Sequence, residues 1–194
     1  MGRRRSFDDR QVLDAVRDQF WAKGYEATSV DDLMRATGLG KGSLYRAFGG
    51  KRQLFLTVLE SYAEARVQEV RAAMTRPAPA VERLRAALRV IPGDPGPIPF
   101  DRGCLLANTA TELAGRDEEV LARARRAYAL VTELISNTVR EAVEDEALPS
   151  DTDASSLGRL LFAVMQGVEF LSKTGMPPEE LDAIGVAAAD RLLR

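Results

Sequence analysis

Hydrophobic positions recur at intervals of three and four residues along most of this chain, a spacing that predicts amphipathic helices. The first such stretch covers residues 8–23, carries Phe20 on its apolar face, and ends at Gly24, where a glycine favours helix termination. A second short helix follows Ser29, which forms an approximate capping box with Asp32, three residues further on. The pattern therefore begins with two helices joined by a short turn.

The remaining chain continues in the same period. The proline- and glycine-rich stretch between residues 92 and 99 predicts a loop, because proline removes a backbone donor from a helix interior. No stretch shows the alternation that is typical of strands, and no repeat is present. The sequence thus predicts an all-α protein of about nine helices. The seven further helices are expected at about 41–48, 51–74, 80–90, 101–114, 117–146, 153–174 and 178–193.

The second and third helices form the most informative local pattern. Residues 29–55 predict a short helix, a glycine turn, a second short helix with a cationic and hydroxyl-bearing face, another turn, and the start of a long helix. That order is typical of a helix-turn-helix that reads double-stranded DNA. The candidate DNA-binding residues are Ser29, Lys41, Gly42, Ser43, Tyr45, Arg46 and Lys51.

Each of these residue types suits one kind of DNA contact. Lys41 can neutralise a phosphate, and Gly42 lets the helix backbone approach closely. Ser43 and Arg46 are the candidates to reach base edges, since the guanidinium fork of arginine matches guanine. The basic segment Arg3–Arg5 has two open interpretations, a flexible arm on the DNA or a solvated tail.

Composition limits the alternatives. The chain has 194 residues, 45% hydrophobic and 29% charged, which is ordinary for a globular protein with one core or a small module plus a core domain. No apolar run approaches the roughly 20 residues that a membrane span needs. The charged N-terminus lacks the apolar stretch of a signal peptide, so we expect a cytoplasmic location and no membrane partner.

The chemistry-bearing residues argue against catalysis. Cys104 is the single cysteine, and the chain has no histidine. These absences exclude an internal disulfide, histidine metal sites, and every arrangement in which histidine activates serine or cysteine. We therefore expect no enzyme, no metal and no cofactor, and a helical enzyme or lipid-handling protein is the disfavoured alternative.

Charge is distributed unevenly along the chain. Residues 1–52 carry 11 lysines and arginines against 7 acidic residues, whereas residues 53–194 carry 16 against 22. A basic end on an acidic remainder indicates that only the end meets a polyanion.

A set of residues in one register carries a family resemblance: Phe20, Gly24, Tyr25, Thr28, Ser29, Val30, Leu33, Gly38, Lys41 to Tyr45, Phe48, Lys51, Leu54 and Phe55. Over residues 8–60 they resemble the DNA-binding domain of the tetracycline-repressor (TetR) family of bacterial regulators. The resemblance implies a homodimeric, ligand-released repressor of a palindromic operator. It also implies a helix-turn-helix domain over residues 1–50 and a helical ligand-binding and dimerisation domain over residues 51–194.

Two residues depart from the family pattern. Gly40 stands where the family usually has a serine that caps the reading helix, and Ala47 replaces the usual histidine or tyrosine. Each change removes a phosphate contact, so the expected binding shifts toward Arg46 and Lys51.

The resemblance further implies that the last two helices pair with their symmetry mates, through stripes that include Leu161, Val168 and Leu181. The sequence leaves open whether these stripes instead face the subunit's own core, because both arrangements need the same period. A pocket for a hydrophobic or amphipathic effector is implied among the fourth to eighth helices, with Glu112 either at its wall or in solvent. Its candidate ligand-binding residues are Tyr62, Phe100, Leu105, Asn108, Tyr128, Phe162 and Gln166.

Two alternative functions remain at this stage. Cys104 follows Arg102 at a predicted helix start, a setting that lowers a thiol pKa and suits a redox or electrophile sensor, although a small buried residue is the plainer interpretation. The other alternative is an architectural DNA-binding protein without any ligand.

Overall fold

The structure is a computed structural model that describes residues 9–90 and 102–194. Within these residues it contains nine α-helices and no strand, which confirms the all-α prediction. The basic segment Arg3–Arg5, Phe100 and the whole proline-rich stretch at 92–99, where the sequence predicts a loop, lie outside the described residues. The helices are α1 (Asp9–Lys23), α2 (Val30–Thr37), α3 (Lys41–Phe48), α4 (Lys51–Thr75), α5 (Ala80–Ala87), α6 (Leu105–Leu113), α7 (Glu118–Glu144), α8 (Ala154–Ser172) and α9 (Pro178–Leu192).

Local chemistry sets the ends of the short helices. The Ser29 hydroxyl accepts a hydrogen bond from the Asp32 backbone N–H at 3.1 Å, and the Asp32 carboxylate accepts one from the Ser29 N–H at 2.9 Å. This capping box starts α2 with aspartate in the place of glutamate. Gly38 ends α2 in the left-handed conformation, with φ of +68°, which only glycine adopts at little cost.

The chain divides into two compact units. The first comprises the residues up to Ala63 together with Leu105–Ala124, and the second comprises Glu64–Cys104 and Arg125–Arg194. The first unit therefore holds α6 as well as the three N-terminal helices. None of the helices in the described ranges is both long enough and apolar enough to cross a bilayer.

Aromatic packing forms the core of the first unit. The Phe20 and Phe55 rings meet edge to face with centroids 4.9 Å apart, and the Tyr25 ring lies 4.6 Å from that of Phe55. The Trp21 ring packs edge to face on Tyr62 at 5.1 Å. Such contacts add to the stabilisation from apolar burial and fix α1 against the start of α4.

The second unit is held together by aliphatic side chains and by contacts of α9 with α5 and α8. Its fully buried side chains include Leu84, Ile135, Leu161, Leu181 and Leu193. Arg89 on the chain after α5 forms a bidentate pair with Asp182 of α9, at 2.7 and 2.9 Å. That geometry fixes the end of α5 against α9.

Candidate functional site

Helix α3 places one apolar residue inward and leaves its other side open. Leu44 is only 2% exposed, whereas the Tyr45 side of the helix reaches solvent with 45% of the tyrosine accessible. Lys41, Gly42 and Arg46 are also exposed. We call the surface formed by Lys41, Gly42, Tyr45 and Arg46 the α3 face.

The α3 face differs from the neighbouring surface in its ion pairing. Lys23 and Arg35 both pair with Asp32, which lies on α2. Lys41 and Arg46 have no carboxylate partner within the described residues, and the Lys41 ammonium lies 5.8 Å from the Tyr45 ring centroid. The α3 face therefore presents positive charge that the protein itself does not neutralise, which is what a polyanion requires.

Asp32 is the anchor of the paired region next to that face. It accepts hydrogen bonds from the Lys23 ammonium at 2.8 Å and from the Ser29 hydroxyl at 2.7 Å. These bonds, the one from Lys23 above all, hold the pKa of the Asp32 carboxyl well below its usual range. Ser29 is thus committed to the cap of α2, and its backbone stands at the helix N-terminus where the sequence predicts a phosphate contact.

Lys51 and Arg52 open α4 in different environments. The Lys51 ammonium lies 4.4 Å from the Tyr25 ring centroid and donates a long 3.4 Å hydrogen bond to the Glu26 carbonyl. Arg52 pairs with Asp117 and with Glu119, the latter at 2.7 Å. The hydrogen bond from Arg52 lowers the pKa of the Asp117 carboxyl. Of the two cations, only Lys51 lacks a carboxylate partner among the described residues.

Glu112 on α6 holds the turn between α1 and α2. Its carboxylate accepts the backbone N–H of Tyr25 at 2.9 Å and that of Glu26 at 2.8 Å. Gly24 has φ of +81°, and a Cβ there would lie 2.7 Å from the Glu112 Oε2. Glu112 is therefore not a free surface residue, because both of its carboxylate oxygens accept backbone hydrogen bonds. Its predicted place at a pocket wall stays a prediction.

The predicted effector residues fall into two separate groups. In the first unit, the Tyr62 hydroxyl accepts the Leu105 N–H at 3.3 Å, and Asn108 lies half-buried on α6. In the second unit, the Tyr128 and Phe162 rings contact each other with centroids 5.2 Å apart. The predicted role of these residues as effector contacts stays a prediction.

A buried ion pair adjoins the second group and was missed from sequence. Arg66 on α4 pairs with Glu169 on α8, and their side chains are 15% and 17% exposed. The Gln166 amide donates a hydrogen bond to the Glu169 carboxylate at 3.0 Å. A second nitrogen of the Arg66 guanidinium pairs with the Glu69 carboxylate at 2.8 Å. We call Arg66, Glu69, Gln166 and Glu169 the buried polar cluster.

Charge within the cluster is only partly compensated. Burial raises the pKa of Glu169, because Arg66 and Gln166 offset only part of the cost of removing the carboxylate from water. Burial also raises the pKa of Tyr128, with further contributions from Cys104 and Glu169. Perturbed ionisable groups of this kind are typical of functional sites.

An open groove of about 470 Å³ runs between α7 and α8, and Tyr128 lies on its wall. The groove is large enough for a small organic molecule. Its lining residues include Tyr128, Glu133, Ser136, Arg140, Ser155 and Arg159.

The apolar stripes of α8 and α9 are divided between the core and the surface. Leu161, Val168 and Leu181 are buried within their own unit, so these members of the predicted dimer stripes face the subunit's own core. A different stripe is open to solvent, with Phe170 exposed to 66% and Leu160 also exposed. We call Leu160, Ala163, Gly167, Phe170 and Ile184 the exposed α8–α9 face.

Cys104 precedes α6 and is 6% exposed. Its sulfur lies 3.9 Å from the Tyr128 hydroxyl. No group of three or more potential metal ligands occurs in the part of the chain that the structure describes.

Comparison with known proteins decides the family. The sequence model for bacterial regulatory proteins of the tetR family matches residues 12–58. The model for the tetracyclin repressor-like C-terminal domain matches residues 80–185, more than half of the chain. The chain belongs to the tetR family. Membership of this family of transcriptional regulators confirms the expected helix-turn-helix and the expectation that the protein is not an enzyme.

Curated tetR-family relatives cover almost the whole chain. The uncharacterised HTH-type transcriptional regulator YezE of Bacillus subtilis is 32% identical over 182 residues, which is 89% of this chain and 90% of the relative. The HTH-type transcriptional repressor ComR of Escherichia coli is 26% identical and covers 93% of this chain and 86% of its own length.

Solved tetR-family structures share the architecture of both units. The regulator CifR, as a double cysteine variant with 26-base-pair operator DNA, aligns with a TM-score of 0.78 at 29% identity, over 99% of this chain and 98% of CifR. A regulator from Cytophaga hutchinsonii aligns with a TM-score of 0.84 at 20% identity, over 94% and 92% of the two chains, which shows the fold.

Proposed function

We propose that this protein is a homodimeric transcriptional repressor that binds a palindromic operator through the α3 face and is released by a small hydrophobic or amphipathic molecule. The observation that carries the proposal is the ion pairing of the first unit. Lys41 and Arg46 lack carboxylate partners among the described residues, whereas Lys23, Arg35 and Arg52 have them.

The α3 face suits the major groove. In this proposal Arg46 reads a guanine edge, a contact worth about 1–3 kcal/mol of discrimination. Lys41, at the start of α3, meets a phosphate, and Gly42 allows the backbone to come close. Gly40 caps α3 without any side-chain hydrogen bond, so the helix start is left open toward a phosphate. Ser29, Ser43, Tyr45 and Lys51 complete the proposed contacts.

The exposed α8–α9 face supports the homodimer. A phenylalanine that is 66% exposed beside a leucine and two small residues on one helix face is unusual for a monomer surface. Two copies of this face form a four-helix bundle about a two-fold axis, with Ala163 and Gly167 allowing close helix approach. A two-fold dimer reads a palindrome, with half-sites about one helical turn of DNA apart or a multiple of it.

Relatives support the operator and the repressor role. CifR was solved on double-stranded operator DNA at 29% identity to this chain, and ComR is named as a repressor at 26% identity. The tetracyclin repressor-like domain over residues 80–185 supports an effector site in that part of the chain.

Release by an effector requires a difference in binding. The effector must bind the conformation with low operator affinity more tightly than the other, and operator must then weaken effector binding by the same factor. The proposed contact residues are Tyr128, Phe162 and Gln166 of the second unit. The contacts predicted from sequence at Tyr62, Leu105, Asn108 and Phe100 stay predictions.

The test is selection of bound sites from a random DNA pool with the purified full-length protein. The expected result is a palindrome of two half-sites, whose affinity then falls when an effector from a compound screen is added. Binding without sequence preference and with a steep salt dependence would instead indicate the architectural alternative. An operator affinity that every bound compound leaves unchanged would refute ligand release.

A second candidate is a thiol sensor that acts through Cys104. The contact of its sulfur with the Tyr128 hydroxyl places the thiol beside a proposed effector residue, so modification would act on that site. Alkylation of the native protein by iodoacetamide at neutral pH, with loss of operator binding, is the expected result. Protection of the thiol until the protein unfolds would refute this candidate.

A further inference from the structure

The charge and the rings of the second unit point to one class of effector. We infer that this unit holds a site for an organic cation, with the Glu169 carboxylate as its anionic partner and the Tyr128 and Phe162 rings as its aromatic walls. The inference rests on the proposed function, in which an effector binds this part of the chain.

The first argument is the number of carboxylates. The Arg66 guanidinium is shared between Glu169 and Glu69, so one cation faces two anions. An incoming cation would supply charge that the buried polar cluster lacks.

The second argument is burial. Glu169 is the most deeply placed carboxylate of the cluster, and its pKa is raised even though Arg66 and Gln166 donate to it. A carboxylate that is buried and incompletely paired attracts any further donor or cation strongly, because the surrounding dielectric is low.

The third argument is the aromatic pair. Phe162, Gln166 and Glu169 recur at i, i+4 and i+7 on α8, so all three lie on one face of the helix. The Tyr128 ring closes on Phe162 from α7 at 5.2 Å. Faces of aromatic rings bind ammonium groups, with about 0.5–2 kcal/mol for each desolvated contact.

Access is available from the groove between α7 and α8. Tyr128 lies on the wall of this opening of about 470 Å³, so a ligand in the groove reaches one of the two aromatic rings. The far end of the groove carries Arg140 and Arg159, which would bind an anion instead. The sign of the preferred charge therefore distinguishes the proposed site from the remainder of the groove.

The test uses probes matched in size and opposite in charge. Binding of tetraphenylphosphonium and benzyltrimethylammonium to the full-length protein is measured by titration calorimetry, with tetraphenylborate and benzenesulfonate as the anionic counterparts. At least one cation is expected to bind about tenfold or more tightly than its counterpart. Binding of neither cation, or tighter binding of the anions, would overturn the inference.

Variants locate the site. Glu169→Gln keeps the shape of the side chain and removes its charge, so cation affinity is expected to fall about tenfold. Glu69→Gln, at the more exposed carboxylate, is expected to lower the cation affinity by a smaller factor. It is the variant to measure if Glu169→Gln does not fold. Glu180→Gln, on the exposed start of α9, is the matched control and leaves affinity unchanged. Unchanged cation affinity in both Glu169→Gln and Glu69→Gln would overturn the inference.

Failure here is distinguishable from failure of the proposed function. Site selection with the unliganded protein reports on operator reading alone. If the protein selects a palindrome but binds no cation, the cation site is overturned and the repressor proposal stands. If the protein binds a cation but selects no preferred sequence, the repressor proposal is overturned and the cation site stands.

Discussion

Glu112 accepts the backbone N–H of Tyr25 at 2.9 Å, which ties the end of α6 to the turn between α1 and α2. A second bond from the Glu26 N–H at 2.8 Å uses the other carboxylate oxygen. Two consecutive backbone donors of the DNA-reading domain are therefore satisfied by one side chain that lies 86 residues or more away in sequence.

Removal of this carboxylate should destabilise the protein. Glu112→Ala leaves two backbone N–H groups without their charged acceptor, and we expect a loss of about 1–3 kcal/mol in the free energy of unfolding. Urea denaturation of the variant beside Glu64→Ala, an exposed glutamate of α4, measures the difference. Equal stability of the two variants would show that the contact contributes nothing.

Gly24→Ala should cost more than an ordinary glycine replacement. Its φ of +81° is strained for alanine, and the new Cβ would meet Glu112 Oε2 at 2.7 Å. Gly38→Ala is the control, since φ is +68° and no atom lies within 4 Å of the added Cβ. We expect Gly24→Ala to be the less stable by thermal unfolding, with the excess abolished when Glu112→Ala is combined with it. An excess that survives in the double variant would place its origin elsewhere.

The cations of the α3 face should separate into base-reading and phosphate-binding residues. Arg46→Ala is expected to lower operator affinity by about 1–3 kcal/mol and to relax the sequence preference. Lys41→Ala is expected to reduce the salt dependence of binding by about one ion while the sequence preference stays unchanged. Fluorescence anisotropy on the selected operator at several salt concentrations measures both. Arg35→Ala, whose guanidinium is already paired with Asp32, should change affinity little.

A charge on the exposed α8–α9 face should dissociate the dimer. Phe170→Asp places a carboxylate where the proposed four-helix bundle excludes water, and sedimentation velocity should then show a monomer. Leu130→Glu is the control, because Leu130 is also exposed but lies on α7. A dimer that persists in Phe170→Asp would move the interface to another surface.

Acid should weaken the protein through Asp32. Its pKa is lowered in the folded state, mainly by the hydrogen bond from Lys23, so the unfolded chain binds a proton first as the pH falls. Stability from this group is present above its ordinary value of about 3.8 and is lost as the pH drops toward the folded pKa. Urea unfolding at several acidic pH values should show a shallower decline in Asp32→Asn than in the native protein. Asp31→Asn, at the exposed neighbour, should retain the native slope.

Much of the architecture follows from sequence-local chemistry. The capping box of Ser29 and Asp32, and the turn at Gly38, can be recognised from residues that lie close together in the sequence. The start and the end of α2 depend on hydrogen bonds that span only three or four positions in the sequence. Helix α6 is the largest departure, since it begins at Leu105 rather than near residue 101, after Gly103 with φ of +65°.

The sequence by itself determined the helices, the position of the helix-turn-helix residues from Lys41 to Tyr45, and the resemblance to the family. Only the tertiary structure decided which charges are available: Arg52 is neutralised by Asp117, while Lys41 keeps its charge free of carboxylates in the described residues. It also decided which stripe of α8 meets solvent and which meets the core. The physical reason is that a helical period fixes which residues share a face, whereas the partner of that face depends on packing between helices far apart in the chain.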